Sequence, residues 1–253
     1  MSDSSLPEHL NVLTMGRVGI DIYPLQIGVG LQDVTSFGKF LGGSPTNVAV
    51  AAARLGHSVM LVTKVGDDAF GEYVKGRLEG WGVDTTYVGS AAGSQTPLAF
   101  AALTPPETPT VMFYRGEAAP DTTLLTTDVP ESVITDAGIL WISQGSLAQG
   151  STAETSLAWM GLRTRDQHTI LDLDYRPSLW ADVDAARSMA QRAIALATVV
   201  VGNAEECEVA LGRMGRGKGV GPSGVPIEVL LHAPPEVKVV MWEVIREAFR
   251  SGS

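Results

Sequence analysis

Gly42-Gly43-Ser44-Pro45-Thr46-Asn47-Val48-Ala49-Val50-Ala51-Ala52-Ala53-Arg54-Leu55-Gly56 is the stretch that decides the fold. Paired glycines permit a positive φ or a close approach of the backbone to a ligand. Ser44 reads as a helix N-cap, with Pro45 at the first helical position, where its missing N–H removes nothing. The alanine-rich run favours helix and packs tightly. Gly56 marks the end. A glycine turn feeding a helix leaves free N–H groups pointing at whatever binds, which suits hydroxyls or an anion. Asn47, in the first turn, offers a donor and an acceptor to a polyol. The same pattern also describes plain packing of a small-residue helix, so the neighbouring segments have to decide between the two.

Composition narrows the field. A chain of 253 residues is long enough for one large α/β domain with a small appendage. The formal charge of −10 argues against non-specific binding to nucleic acid or to an anionic membrane surface. It leaves room for a small anionic substrate, because local charge can oppose net charge. Cys207 is the single cysteine, which excludes an internal disulfide and a cysteine-based zinc site and fits a reducing cytoplasm. The polar, acidic start at Met1–Glu8 is unlike a signal peptide. No stretch reads as a membrane span.

Strand and helix patterns alternate along the chain. Short apolar runs at Asn11–Met15, Ser58–Val65, Val83–Val88, Gly138–Ser143, His168–Asp174 and Ala197–Val201 read as strands. Helices are expected over 68–81, 152–165 and 182–196. This order predicts a mostly parallel sheet covered on both faces. Residues 34–41 form a further strand leading into the glycine turn. The runs 96–104 and 110–115 pair as an antiparallel ribbon. Ligands bind outside the carboxyl ends of parallel strands. Asp21, just past the first strand, is there either a hydroxyl acceptor or a loop aspartate bonded to its own backbone. Asp172, Asp174 and Arg176 share one side if the strand stays extended. They read as a binding cluster or as a mutual ion pair ending the strand. Asn203 and Glu206 follow the last strand, as magnesium-shell residues, as a helix cap, or as both.

The segments Leu41–Asn47, Val62–Gly71, Met15–Pro24, Asp172–Pro177 and Asn203–Glu206 together resemble the ribokinase-like (PfkB-type) carbohydrate kinases. Within that family the wording is nearest the branch acting on a sugar acid of inositol breakdown. The resemblance implies a three-layer α/β/α fold with a small β lid over the sugar, the lid strands at about 17–41 and 96–115. It implies ATP and magnesium as cofactors and a homo-oligomer formed through the lid. It also implies that Asp21, Gly42, Gly43 and Asn47 meet sugar hydroxyls. Arg176 meets the acid group or the transferring phosphoryl group, and Arg115 contacts substrate. Asn203 and Glu206 orient magnesium, Glu206 through water.

The motif-by-motif resemblance covers residues 10–212. A member of the family continues to a Gly-Ala-Gly-Asp turn that supplies an anion hole and the catalytic base. Residues 213–253 hold a glycine-rich basic run and an amphipathic Glu236–Phe249, read as linker and terminal helix, and no aspartate follows Asp184. No catalytic base is therefore assigned. The expectation is a chain truncated, frameshifted or diverged at its end. It acts either as a kinase with an unorthodox C-terminus or as a non-catalytic remnant that binds sugar or a second subunit.

Overall fold

The computed structural model describes residues 10–102, 110–116 and 118–212. The expected linker and terminal helix after Gly212 lie outside the described residues.

The central sheet has seven strands, all paired in parallel. They are β1 (Val12–Met15), β4 (Val59–Gly66), β5 (Val83–Asp84), β6 (Val88–Ala91), β9 (Ile139–Ser143), β10 (His168–Asp172) and β11 (Val199–Val201). Their order is β11-β10-β9-β1-β4-β5, with β6 also on β4. All four residues of β1 are buried. This is why it reads as a continuous apolar run rather than an alternating one.

Alternation along β1 sorts the core into two layers. Leu13 and Met15 join a cluster with Ile134 of α3 (Glu131–Asp136), Trp159 and Met160 of α4 (Gly150–Leu162), Ala190 of α5 (Val183–Ile194) and Cys207 of α6 (Ala204–Leu211). Val12 joins a second cluster with Ala49 of α1 (Ser44–Arg54) and with Val74 and Leu78 of α2 (Ala69–Gly80). Helices therefore cover both faces, as the strand–helix alternation predicts.

A second sheet of four strands, β3-β2-β7-β8, forms the lid. It comprises β2 (Gly19–Pro24), β3 (Phe37–Gly42), β7 (Leu98–Ala102) and β8 (Thr110–Tyr114). The β7–β8 pair is antiparallel, as expected, whereas β2 and β7 run parallel. Val18, Ile20 and Ile22 tie the lid into the α1–α2 layer.

Local chemistry explains where elements differ from the sequence reading. The N-cap of α1 is Gly43, not Ser44. Gly43 has φ 103°, and a Cβ there would lie 2.3 Å from the Arg17 carbonyl oxygen, so only glycine fits the turn. The expected single strand Val83–Val88 is broken, because the Asp84 carboxylate accepts the Thr86 N–H at 2.8 Å and turns the chain. Strand β10 stops at Asp172, where its carboxylate accepts the Asp174 N–H at 3.3 Å. Helix α4 begins at Gly150 and ends at Leu162, short of the 152–165 expected.

Candidate functional site

A cavity of about 360 Å³ opens between the lid and the carboxyl ends of β1, β9 and β10. Asp21, Gly42, Gly43, Asn47, Arg115 and Arg176 all line it. The six residues expected to meet substrate thus converge from four separate parts of the chain. Asp21 sits inside lid strand β2, not in a loop beyond the first strand. A Cβ at position 42 would lie 2.3 Å from its Oδ1, so Gly42 is the residue that makes room for the carboxylate. Burial pushes the Asp21 carboxyl above the ordinary carboxylate range. Asn47 holds its place through its backbone N–H, which donates to the Gly43 carbonyl at 3.0 Å, and its side chain is exposed at the cavity edge.

Two of the arginines are already neutralised. Asp121, whose side chain is fully buried, accepts from Arg115 and, at 3.0 Å, from the Val18 N–H. Asp174 takes Arg176 on one oxygen at 2.7 Å and the Ser44 hydroxyl on the other at 2.7 Å. Ser44 therefore ties the glycine turn to the end of β10 instead of capping its own helix. The ion-pair reading of Asp174 and Arg176 and the binding reading are both satisfied, because the pair itself lines the cavity.

Asp172 lies outside the cavity lining, unlike Asp174 and Arg176, because β10 ends before the expected alternation is completed. Its carboxyl is pushed up to about 6, first by burial and then by the charges of Asp174 and Glu206.

Sequence reasoning passed over Arg17, Asp121 and Ser44 as chemical groups. Arg17 had a visible signal: a charge two residues beyond a wholly buried apolar strand. Asp121 had none, since a single aspartate in a proline-containing loop has no periodicity to mark it.

Asn203 and Glu206 do not reach this cavity. They form a reciprocal cap at the start of α6, beyond the carboxyl end of β11. The Glu206 Oε2 accepts the Asn203 N–H at 2.8 Å, and the Asn203 Oδ1 accepts the Glu206 N–H at 2.9 Å. Capping engages one oxygen of each side chain. The second Glu206 oxygen and the Asn203 amide N–H groups are left for a hydrated cation, which fits magnesium held through its waters rather than by direct chelation. Among the described residues no group of three or more His, Cys, Asp or Glu could hold a metal ion directly. Among them, too, no helix is long and apolar enough to cross a membrane.

A doubly covered parallel sheet and a β lid, with a cleft between them lined by carboxylate, amide and guanidinium groups, describe the class of carbohydrate kinases. The chain belongs to the pfkB family of carbohydrate kinases, whose family model matches residues 10–241. That match runs past residue 212, where the motif-by-motif resemblance ends. Among curated proteins the chain is 34% identical to the 5-dehydro-2-deoxygluconokinase of Photobacterium profundum over 79% of its own length and 60% of the relative's. It is 32% identical to the protein of the same name from Lacticaseibacillus casei over 83% and 65%, respectively. It thus spans less than two thirds of the length of these relatives. Among solved structures, a Pyrococcus horikoshii sugar kinase in complex with ATP superposes with TM-score 0.71 at 27% identity, over 79% of this chain and 65% of that one. The Xylella fastidiosa fructokinase gives TM-score 0.72 at 26% identity, over 87% and 65%.

Proposed function

We propose that the cleft holds a sugar acid whose primary hydroxyl accepts a phosphoryl group from ATP, with 5-dehydro-2-deoxy-D-gluconate as substrate. The observation that carries this reading is the pairing of chemistries in one cavity. Asp21 and Asn47 offer acceptors and donors for hydroxyls, and arginines line the same space for an anion. The names of the curated relatives support the choice of sugar. Arg176 and Arg115 contribute to holding the acid group. Asn203 and Glu206 hold hydrated magnesium beside the nucleotide, and magnesium supplies charge neutralisation of its phosphates when bound. Phosphoryl transfer of this kind is mainly positioning and charge stabilisation. None of the 253 residues is assigned as the base, because no Gly-Ala-Gly-Asp turn occurs in them.

A second reading is a sugar-binding or dimerisation module. It is favoured by the exposed apolar side chains on the lid strands, among them Phe37, Phe40, Phe113 and Tyr114. Calorimetric titration of the purified chain with the sugar acid, followed by a phosphorylation assay with magnesium-ATP, separates the two. We expect binding with turnover well below the 1–100 per second, roughly, of ordinary kinases. Turnover in that range overturns the second reading. Absence of sugar-acid binding overturns both uses of the cleft.

A further inference from the structure

Three arginines line the cavity, and their charges are not balanced alike. Arg115 is matched by buried Asp121 and Arg176 by Asp174. Arg17 forms no ion pair among the described residues. Its Nε is buried with no hydrogen-bond partner. A buried, unpartnered guanidinium nitrogen is destabilising by itself, and such groups need an explanation in function or in a missing partner. The surroundings hold it in place all the same. A Cβ at Gly145 would lie 3.2 Å from the Arg17 Cδ and 3.4 Å from Nη1, so the side chain packs closely over the glycine backbone. Burial and the neighbouring Arg115 lower its pKa to about 10, an effect that the charges of Asp121 and Asp174 offset only in part, and it stays protonated at neutral pH.

From this imbalance we infer that Arg17 is the specificity-determining residue for the acid group, the surplus cation that takes the substrate carboxylate as its missing partner. The inference rests on the sugar-acid reading above and deepens it. Asp21 supplies the complementary surplus, a carboxylate lining the same cavity with no ion pair among the described residues. A ligand with hydroxyls at one end and an anion at the other therefore completes both groups. Arg176 is a weaker candidate for the main anion contact, because it is ion-paired and its side chain is 54% exposed. A guanidinium matches a carboxylate with two parallel N–H donors, so the residue reads shape as well as charge.

The test titrates the full chain with 5-dehydro-2-deoxy-D-gluconate and with its neutral carboxamide. The expected result is that Arg17→Met weakens binding of the acid by about tenfold or more, while affinity for the amide stays within about twofold. Arg17→Lys, with charge but no fork, recovers part of the loss. Arg176→Met, which removes a solvent-screened pair, weakens binding of the acid by only about two- to threefold. Removing the orphaned charge also raises the melting temperature of the ligand-free Arg17→Met chain by about 2–4 °C, a gain that a purely structural role for Arg17 reverses. An unchanged acid-to-amide ratio in folded Arg17→Met overturns the assignment and leaves the sugar-acid reading standing. Failure of the wild-type chain to bind either probe overturns both.

Discussion

Two regions of this molecule each withdraw a guanidinium from water, and they treat it in opposite ways. Behind the sheet, Arg163 donates from Nε to the Thr169 hydroxyl at 3.0 Å, from Nη1 to the carbonyls of Ile134 and Ala137, and from Nη2 to those of Gly138 and His168 at 3.3 and 3.2 Å. It closes the segment after α3 onto the start of β10. In the cleft, Arg17 has no such partners among the described residues and keeps a buried orphan nitrogen. Burial lowers the pKa of both. The difference teaches that desolvation does not by itself mark a binding group. What marks it is a desolvated charge that lines a cavity without a carboxylate paired to it.

Removing each member of such contrasts gives effects of different size. The largest belongs to Arg163→Met. It strands four backbone carbonyls and the Thr169 hydroxyl, and we expect a loss of about 4 kcal/mol in urea unfolding, with a melting point lower by about 10 °C. A loss below about 1 kcal/mol would mean that the knot behind the sheet is no tighter than the cleft, and the comparison breaks.

Asp21→Ala comes next and acts on the other side of the ledger of function and stability. We expect affinity for the sugar acid to fall about a hundredfold, or about 2.7 kcal/mol. The melting temperature should not fall, since the carboxylate has no ion-pair partner among the described residues and its burial already disfavours the charged form. A variant that melts early but binds normally would move Asp21 to the structural side.

Asp172 sharpens the comparison through pH. Its folded pKa of about 6 lies above the ordinary carboxylate value, so the folded chain holds the proton more tightly than the unfolded one. This group's contribution to stability therefore declines as pH rises from about 4 to about 6 and is constant beyond. Asp172→Asn removes that decline. After allowance for solvent screening, we expect the variant to exceed wild type by about 1 kcal/mol at pH 7 and to equal it near pH 4. Urea midpoints across this range settle the matter, and equal slopes would place Asp172 in a more polar setting than its neighbours imply.

The smallest effect is expected of Asn203→Ala, which removes one half of the cap on α6. The loss should be about 0.5–1 kcal/mol in thermal unfolding, with sugar affinity unchanged. Any change in sugar affinity would extend the cleft to the end of β11.

The fold was legible because its elements repeat a simple rule. The paired runs of β1 and β4, with Leu13 opposite Met60 and Met15 opposite Val62, are mostly apolar, and glycines such as Gly43 and Gly56 punctuate the helix between them. The lining of the cleft was legible for a related reason: Asp21, Asn47 and Arg176 lie close to strand ends or glycine turns in the sequence. What stayed hidden depends on contacts distant in sequence. Asp121 meets Val18 across 103 positions and Ser44 meets Asp174 across 130, and no local pattern encodes either. The break in Val83–Val88 and the short α3 were hidden by a different cause, a single Asx turn and too few residues to show a period. Arg17 was in plain view, but its importance lies in a partner it lacks, which only packing reveals.

The lid has one further property, set by its register. Gly19 pairs with Gly42, Ile20 with Leu98, and Leu98 with Tyr114, so all four strands meet the body at the same end of the sheet. Asp121 grips that end twice, through the Val18 N–H at the root of β2 and through Arg115 at the exit of β8. The lid is thus a cantilever bolted at its root. Asp21 and Gly42 sit beside the bolt, where any bending of the beam moves atoms least, while Leu25 and Phe37 ride near the free tip, where it moves them most. A contact made at the tip therefore reaches the cleft-lining Asp21 and Gly42 only through the length of the beam.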